Sequence, residues 1–364
     1  MKKIVTILGA RPQFIKASVV SYEIAGIPSL CEVVVHTGQH FDENMSDIFF
    51  SELGMKPPDY FLDIHGGTHG VMTGRMLIEI ERILLIEKPD LVLVYGDTNS
   101  TLAGALTAAK LHIPVAHIEA GLRSFNMKMP EEINRILTDR ISKWLFCPNF
   151  VSSEHLRREG FDEAKIIPVG DVMFDVALHF GSRVSEQGGA LNKFGLLPKK
   201  YILTTIHRAE NTDNHKRLLV IVDALSEISK SIPVVWPIHP RTRAILDQLG
   251  LMDRVGKSLM LINPVGYLDM VQLEKYAALV ATDSGGVQKE AFFYRVPCVT
   301  LRDETEWVEL VESGWNLLAP PLNCKEIVDA ILFCLVSRGK EISPYGNGKA
   351  AKLIVDKLNG DLYK

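Results

Sequence analysis

Acidic and basic side chains concentrate in residues 117–135, which read HIEAGLRSFNMKMPEEINR. An apolar run ends at Glu119, the next loop carries Arg123, and a helical pattern begins at Pro130. A carboxylate at the end of a buried strand needs a partner, which Arg123 or Arg135 could supply. Such groups can also donate or accept a proton in catalysis. The segment therefore indicates either a site of acid–base chemistry or a structural ion pair.

The sequence PEEINRILTD predicts a helix that begins at Pro130. We expect its packed stripe to consist of four apolar residues, Ile133, Ile136, Leu137 and Ile141. Glu131 and Arg135, four residues apart, should then share the opposite face. An exposed pair of this kind is the alternative, but the helix starts where the Glu119 loop ends.

The segment DSGGVQKEAFFY offers a second kind of site. Glycines let a backbone approach a ligand closely, and the free N–H groups at the start of a helix favour a phosphate. Glu290, one turn into this helix, could accept hydrogen bonds from sugar hydroxyls. An ordinary helix cap is the alternative.

Other polar residues directly follow apolar strands. They include Arg11, Asp97, His207 and His239. Because ligands of open parallel sheets bind beyond the carboxyl ends of the strands, we expect these side chains to face ligands. A turn that caps the next helix is the alternative for Asp97.

The elements that would position these residues alternate between strand and helix. Five apolar strands come early in the chain: KKIVTILG, CEVVVHTG, DLVLVYGD, IPVAHIEA and KWLFCPN. Five more come later: YILTTIHR, IPVVWPIHP, SLMLINPV, ALVATDSGG and VPCVTLRDE. Continuous apolar strands that alternate with helices are typical of parallel sheets covered on both faces. The sequence thus predicts the α/β class, with two Rossmann-like, doubly wound domains facing each other.

Glycines, a proline and paired lysines before residue 201 are typical of a crossover between domains. We predict an N-terminal domain over residues 1–172 and a C-terminal domain over residues 173–346. The pattern NGKAAKLIVDKLNG predicts a last helix, within residues 347–364, that returns to the first domain.

Composition excludes several classes of protein. The 364 residues are 47% hydrophobic, enough for two domains, and the net charge of −4 offers no field to hold nucleic acid. No apolar run reaches the roughly 18 residues of a membrane span. The five cysteines are scattered without C-x-x-C spacing, which indicates reduced thiols and a cytoplasmic location.

Cofactor motifs are missing as well. GARPQF stands where a dinucleotide-binding protein has G-x-G-x-x-G, and the 11 histidines show no metal-ligand spacing. We predict no cofactor and no metal, and we expect His207 and His239 to meet a phosphate or a substrate hydroxyl.

Taken together, seven segments resemble the non-hydrolysing UDP-N-acetylglucosamine 2-epimerases: GARPQFIK, GDTNSTLAGALTAAK, HIEAGLRS, MPEEINR, VGDVMFD, TIHRAEN and DSGGVQKEA. The resemblance implies a glycosyltransferase-B (GT-B) architecture, with the active site in the cleft between the domains and UDP bound by the C-terminal one. It also implies inversion of C2 of a UDP-linked amino sugar. In that route UDP is eliminated across C1–C2 to leave a 2-acetamidoglucal, and UDP then adds back while a proton returns from the other face.

The resemblance also assigns residues by position. Four match the family's catalytic residues: Asp97, Glu119, Glu131 and His207. Seven match residues that contact the UDP-sugar: Arg11, Lys16, Arg135, Ser284, Gly285, Gly286 and Glu290. Tyr267 is our candidate for a uracil contact. Which carboxylate removes the C2 proton and which returns one stays open.

Three segments depart from the common family pattern. Ala-Arg-Pro-Gln replaces Thr-Arg-Pro-Glu, GQHFDENM replaces a region that helps form a second, activating UDP-sugar site, and DETEWVE places Trp307 where arginine is usual. The second change argues against activation by substrate. GARPQFIKA, DIHGGTHG and DETEWVE resemble a narrower branch that epimerises UDP-2,3-diacetamido-2,3-dideoxyglucuronate for surface polysaccharide.

A C6 carboxylate on that substrate needs a cation, and five residues in or beside the motifs are candidates: Arg11, Arg123, Lys128, Arg135 and Arg302. The alternative substrate is UDP-N-acetylglucosamine itself. More distant alternatives are a GT-B glycosyltransferase, a hydrolysing epimerase and a non-catalytic nucleotide-sugar sensor. The resemblance implies a homodimer, with a UDP-sugar as ligand and neither nucleic acid nor membrane as partner.

Overall fold

The computed structural model describes residues 1–39 and 47–363 of the chain. These residues divide into two compact units. The first comprises Met1–Val176 together with Ser343–Lys364, and the second comprises Ala177–Ile342. The boundaries predicted from the sequence, after residues 172 and 346, each lie four residues from this division.

Within the described residues, the first unit contains seven strands: β1 (Lys2–Leu8), β2 (Leu30–His36), β3 (Tyr60–Phe61), β4 (Leu91–Tyr95), β5 (Val115–Ile118), β6 (Trp144–Cys147) and β7 (Ile166–Pro168). Their order in the sheet is β3-β2-β1-β4-β5-β6-β7, and each recorded pairing is parallel. The central strands β1, β4 and β5 therefore end side by side at one edge of the sheet.

Helices connect these strands: α1 (Arg11–Ala25), α2 (Asp47–Leu53), α3 (His69–Glu87), α4 (Asn99–Lys110), α5 (Pro130–Ile141), α6 (Phe150–Arg158) and α7 (Val172–Gly181). Strand β4 is fully buried along its length, as expected for a strand covered on both faces. The small residues of α4 let that helix pack closely on the sheet: Cβ on Gly104 would lie 2.8 Å from Ile7 Cδ1.

In the described part of the second unit, six strands form a sheet: β8 (Ile202–Thr205), β9 (Val234–Pro237), β10 (Met260–Ile262), β11 (Leu279–Thr282), β12 (Cys298–Thr300) and β13 (Asn316–Leu318). Their order is β10-β9-β8-β11-β12-β13, and the recorded pairings are again parallel. Strands β8 and β11, at the centre, bring residues 206–208 and 283–286 to the same edge.

The helices of the second unit are α8 (Gly189–Lys193), α9 (Ala209–Thr212), α10 (His215–Ile228), α11 (Pro240–Gln248), α12 (Met252–Ser258), α13 (Tyr267–Lys275), α14 (Gly285–Phe293), α15 (Val308–Glu312) and α16 (Cys324–Val336). Apolar residues of α10 and α16 pack with the sheet in one core, and those of α8 and α13 pack in another.

The last helix, α17 (Ala350–Leu362), packs against α1 of the first unit. A buried carboxylate fixes its start, because Asp175 accepts a hydrogen bond from the Ala351 N–H at 2.7 Å. The free N–H groups at a helix N-terminus need an acceptor of this kind, although burial outweighs them and raises the pKa of Asp175.

The predicted packed stripe of α5 is wrong for two of its four residues. Ile133 is 40% exposed and Leu137 is 47% exposed, whereas Ile136 and Ile141 are partly buried. The buried positions are instead polar: Glu132, Asn134, Thr138 and Asp139. Several of these side chains form hydrogen bonds with neighbouring loops. Because buried polar groups must be paired, these bonds decide which face of α5 is buried.

No helix among the described residues has the length and apolar character that a membrane crossing requires.

Candidate active site

Three predicted residues lie at adjacent strand ends in the first unit. Arg11 begins α1 after β1, Asp97 follows β4, and Glu119 follows β5. The parallel register of β1 with β4 and of β4 with β5 brings these ends together. The expected edge of the sheet thus carries two carboxylates and one guanidinium.

The backbone of Glu119 adopts a left-handed conformation, with φ of 70°. A non-glycine residue in this region is strained and persists only where its surroundings fix it. The side chain is buried and forms an ion pair with Lys16 of α1. Burial acts to lower the pKa of Lys16, but the Glu119 carboxylate outweighs it and the pKa is raised. The pair therefore places a stably charged ammonium next to a carboxylate.

Arg135 of α5 reaches back to Asp97 and forms an ion pair with it. Its other nitrogen, Nη1, donates to Glu132 at 2.7 Å. Although burial opposes the charge, Asp97 and Glu132 together raise the pKa of Arg135. Asn134 donates to the backbone oxygen of Asp97 at 2.9 Å, so α5 holds both ends of this residue.

Glu131 lies in the first turn of α5 and is exposed. Among the described residues its carboxylate forms no hydrogen bond or ion pair, including none with Arg135. Glu131 and Arg135, both described, therefore do not form the exposed pair that was considered from the sequence. Glu131 is left accessible to a ligand.

The Arg123 side chain is buried in internal ion pairs and does not lie at the strand end with Glu119. Its side chain is 1% exposed and bonds to Asp139 at 2.7 Å and to Glu159 at 2.7 Å. Of the two arginines that could have partnered Glu119, neither does so, because Lys16 takes that place.

Gln13 is a contributor that the sequence did not single out. Its carbonyl oxygen accepts from the N–H groups of Gly9 at 2.8 Å and Ala10 at 3.0 Å. Its amide nitrogen donates to the backbone oxygen of Tyr95 at 2.7 Å. This buried side chain therefore ties the loop that leads to Arg11 to the strand that leads to Asp97. The local signal was its departure from the glutamate usual in the family.

The GQHFDENM segment lies largely outside the described residues, because positions 40–46 are not described. Gln39, at its start, accepts hydrogen bonds from the N–H and hydroxyl of Ser100, at 2.9 and 2.7 Å. The prediction about substrate activation therefore stays a prediction.

In the second unit, Asp283 organises the strand ends that carry His207. The buried Asp283 accepts hydrogen bonds from the N–H groups of His207 at 3.1 Å and Arg208 at 3.0 Å. His207 itself is exposed, with Nδ1 3.5 Å from Asp283 Oδ1. Desolvation lowers the pKa of His207, with Asp283 opposing the shift and His239 adding to it. A neutral imidazole is thereby presented to solvent at the edge of the sheet.

The Ser284-Gly285-Gly286 turn opens α14, with Ser284 in the N-cap position. The fold itself does not require glycine at position 286. Gly286 lies outside the left-handed region, and the nearest atom to a Cβ built there is Ser284 Oγ at 3.9 Å. The space next to this helix N-terminus is thus open for a ligand to approach the backbone.

Charged residues surround the space at Gly285. A Cβ there would lie 3.6 Å from Glu306 Oε2 and 3.8 Å from Arg208 Nη2. Arg302, which is 4% exposed, donates to Glu306 at 2.9 Å. Trp307 Nε1 donates to the Gly285 oxygen at 2.8 Å and so fixes the turn. Sequence reasoning missed Arg208 and Glu306, although both lie in segments that carried the resemblance.

Glu290, predicted to bind ribose, lies one turn into α14 and is partly buried. Below it, Glu274 of α13 is buried, and burial together with the Glu290 charge raises its pKa well above the usual range. Glu274 is therefore the protonated member of this pair. Tyr267 has a core position: its ring packs edge-on against Phe180 at 5.3 Å, so the proposed uracil contact has little free ring surface.

Within the described residues, no cluster of histidine, cysteine, aspartate and glutamate is arranged to hold a metal ion.

Comparison with known proteins identifies the relatives of this chain. Residues 23–359 match the family model of UDP-N-acetylglucosamine 2-epimerase. The UDP-2,3-diacetamido-2,3-dideoxy-D-glucuronate 2-epimerase of Pseudomonas aeruginosa is 58% identical over 363 residues, covering 98% of this chain and 99% of the relative. The UDP-N-acetylglucosamine 2-epimerase of Methanocaldococcus jannaschii is 46% identical over 360 residues, covering 97% and 98%.

Solved structures similar to this chain belong to enzymes of the same kind. A crystal structure of the Methanocaldococcus jannaschii enzyme, in complex with UDP-GlcNAc and UDP, has a TM-score of 0.88 at 46% identity and covers 99% of this chain and 100% of that one. The Neisseria meningitidis enzyme bound to UDP-GlcNAc has a TM-score of 0.87 at 31% identity and covers 98% and 100%. The predicted class of two Rossmann-like, parallel-sheet units of GT-B type is confirmed. This chain belongs to the UDP-N-acetylglucosamine 2-epimerase family of isomerases.

Proposed function

We propose that the chain inverts C2 of a UDP-linked N-acetyl amino sugar by eliminating UDP and adding it back. The observation that carries this proposal is the group of carboxylates at the strand ends of the first unit. Asp97 and Glu119 follow adjacent parallel strands, and each is paired with a cation. Glu131 stands nearby at the start of α5.

The chemistry needs a base on one face of C2 and an acid on the other. Asp97, Glu119 and Glu131 are the proposed acid–base residues of the first unit. Arg11 and Lys16 are the proposed contacts to the phosphates, since elimination concentrates negative charge on the departing diphosphate. Carboxylates next to C1 would also stabilise an oxocarbenium-like sugar, as they do in glycosidases.

The second unit is the proposed site for UDP. The open space at Gly286 and the free N–H groups of α14 suit a diphosphate. Arg208 lies beside this space, and Glu290 is the proposed partner of the ribose hydroxyls. His207 would contribute a neutral imidazole that can accept a proton.

For the substrate, we propose UDP-2,3-diacetamido-2,3-dideoxyglucuronate. The relative named for this activity shares 58% of its residues over almost the full chain. The contacts reduce the list of cations for the C6 carboxylate. Arg123 and Arg302 are buried in internal ion pairs, and Arg135 already balances Asp97 and Glu132. We propose Lys128, which is exposed, as the cation that meets the C6 carboxylate.

Turnover in D₂O tests the reaction. Deuterium should appear at C2 of the product, because the proton that returns comes from solvent-exchangeable groups. Retention of protium at C2 would contradict the elimination route. A UDP-sugar supplied without an acceptor should react, which separates an epimerase from a glycosyltransferase. Free UDP accumulating with product would indicate a hydrolysing enzyme instead.

The specific alternative is UDP-N-acetylglucosamine as substrate, since the relatives at 46% and 45% identity carry that name. A comparison of kcat/KM for the two UDP-sugars decides between them. A site built to bind a carboxylate should discriminate strongly against a neutral C6, because its polar groups would be left unpaired. Equal or better turnover of UDP-N-acetylglucosamine would contradict the narrower assignment.

We further propose a homodimer, in a cytoplasmic setting. Val71, Ile78 and Leu85 lie seven residues apart on α3 and are exposed. Helix α4 packs against both α3 and α5, and α5 exposes Ile133 and Leu137. An apolar face of this extent is typical of a surface that a second copy covers. Light scattering of the wild type and of Ile78→Glu would test it, with a monomeric wild type as the contrary result.

A further inference from the structure

His117 lies in β5, two residues before Glu119, and is completely buried. Each of its ring nitrogens faces an oxygen. Nδ1 is 2.7 Å from Asp139 Oδ1, and Nε2 is 2.7 Å from the backbone oxygen of Gly96. Both partners are acceptors, so both nitrogens must carry a proton to make these contacts.

Asp139 also acts as an acceptor in its other contacts around this ring. Asp139 also accepts from Arg123 at 2.7 Å and from the Gly121 N–H at 3.2 Å. Arg123 in turn forms two bonds with Glu159, at 2.7 and 2.8 Å. Glu159 also lies 4.0 Å from Arg140, so the two carboxylates are paired with two guanidiniums as well as with the ring. A buried group of this kind is stable only when its charges are paired and hydrogen-bonded.

The carbonyl that His117 binds belongs to the turn that presents Asp97. Gly96 adopts a left-handed conformation, with φ of 64°. Its N–H donates to the Ile118 oxygen at 2.9 Å, and its missing Cβ leaves room for Glu119, whose Oε2 would lie 3.3 Å from that atom. The same peptide is therefore adjacent to both carboxylates of the strand ends.

We propose that His117 is a positioning residue for Asp97: clamped by Asp139, it donates to the Gly96 carbonyl and fixes the turn from below. Asn134 fixes the following peptide from α5 by donating to the Asp97 oxygen. The proposal rests on the function proposed above, because it concerns the orientation of Asp97, which is an acid–base residue only under that function. His117 does not touch the substrate itself.

The alternative is that His117 only stabilises the core through its pair with Asp139. In that case the hydrogen bond to Gly96 would have no separate effect on kcat. Two substitutions separate these roles, since each keeps one of the two hydrogen bonds. In His117→Asn the amide can stand in for Nδ1 and bond to Asp139. In His117→Gln the longer amide can stand in for Nε2 and bond to Gly96.

If the Gly96 bond positions Asp97, His117→Asn should lower kcat by about 10–100-fold, the scale of a misplaced catalytic group. KM for the UDP-sugar should change by less than about threefold, because the phosphate contacts lie elsewhere. His117→Gln should lose less of kcat than His117→Asn does. His112→Asn is the matched control, since His112 is exposed and its φ of 59° suits asparagine.

Unfolding curves of each variant give the folded fraction by which kcat is corrected. Equal corrected losses in His117→Asn and His117→Gln would overturn the proposal. So would a loss explained entirely by the fraction unfolded. Should His117→Asn not fold, the comparison of His117→Gln with wild type decides, because the proposal requires it to keep most of kcat.

A second measurement needs no variant activity. The ¹⁵N spectrum of histidine-labelled wild type should show two protonated ring nitrogens for His117, identified by their disappearance in His117→Gln. A ring with one bare nitrogen would overturn the assignment. This result stands even if the wild type turned over neither UDP-sugar, an outcome that would refute the proposed function alone.

Discussion

Gly286 offers a substitution that should raise stability and lower ligand binding at once. The residue is exposed in the first turn of α14, and no atom lies closer than 3.9 Å to a Cβ built on it. Alanine there restricts the unfolded chain without straining the folded one. Such replacements stabilise by about 0.4–1 kcal/mol, which raises Tm of a unit of this size by about 1–4 °C.

Binding of UDP should respond in the opposite sense. If the diphosphate rests on the N–H groups of α14, a methyl at position 286 holds it away from the backbone. Loss of one charge-assisted hydrogen bond costs about 1.5–3 kcal/mol. That corresponds to a rise in Kd for UDP of about 10–150-fold.

Calorimetric titration with UDP and a thermal scan on the same preparation measure both effects. Gly256→Ala is the matched control, because Gly256 lies in α12 with no atom within 4 Å of its built Cβ. It should stabilise without changing Kd. A Gly286→Ala protein that binds UDP as tightly as wild type would refute the placement of the phosphate against this backbone.

Three other substitutions probe separate contacts. Glu290→Ala should weaken UDP binding by about 1.5–3 kcal/mol if its carboxylate accepts from ribose, and an unchanged calorimetric Kd would remove that role. Glu306→Gln should tighten UDP binding by about 0.2–1 kcal/mol, the value of a partly exposed ion pair, because Arg208 lies 3.6 Å from Glu306 and would be released; weaker binding would contradict this. Burial and Asp171 raise the pKa of Asp175 to about 6. Since this value exceeds the ordinary value of an unfolded aspartate, stability is lost as pH rises from about 4 to about 6. Asp175→Asn should escape a loss of about 3 kcal/mol, and urea unfolding at pH 4 and pH 7.5 should show the two proteins diverging; parallel curves would count against it.

The ten strands predicted from apolar runs all occur, because a strand buried on both faces leaves a continuous signal. The strands that were not predicted are β3, β7 and β13, of two or three residues each. All three lie at sheet edges. A segment this short carries no periodicity, and pairing with a neighbour is what makes it a strand.

The face of α5 could not be predicted because the deciding partners are distant in sequence. Apolar periodicity favoured burial of Ile133 and Leu137, yet both are exposed. Asn134 faces inward since it bonds to Asp97, 37 residues earlier. Gln13 was missed for the same reason, as its partner Tyr95 is 82 residues away.

The strained backbone of Glu119 has a consequence for any attempt to improve this protein by selection. Its left-handed φ of 70° is one that glycine or asparagine adopts at less cost. A library screened only for heat resistance should therefore replace Glu119 and discard the carboxylate, with a compensating change at Lys16, which would lose its ion pair. A screen that demands turnover should instead keep glutamate there in every survivor. The contrast between the two populations would mark, from sequencing alone, the positions where activity is maintained against stability.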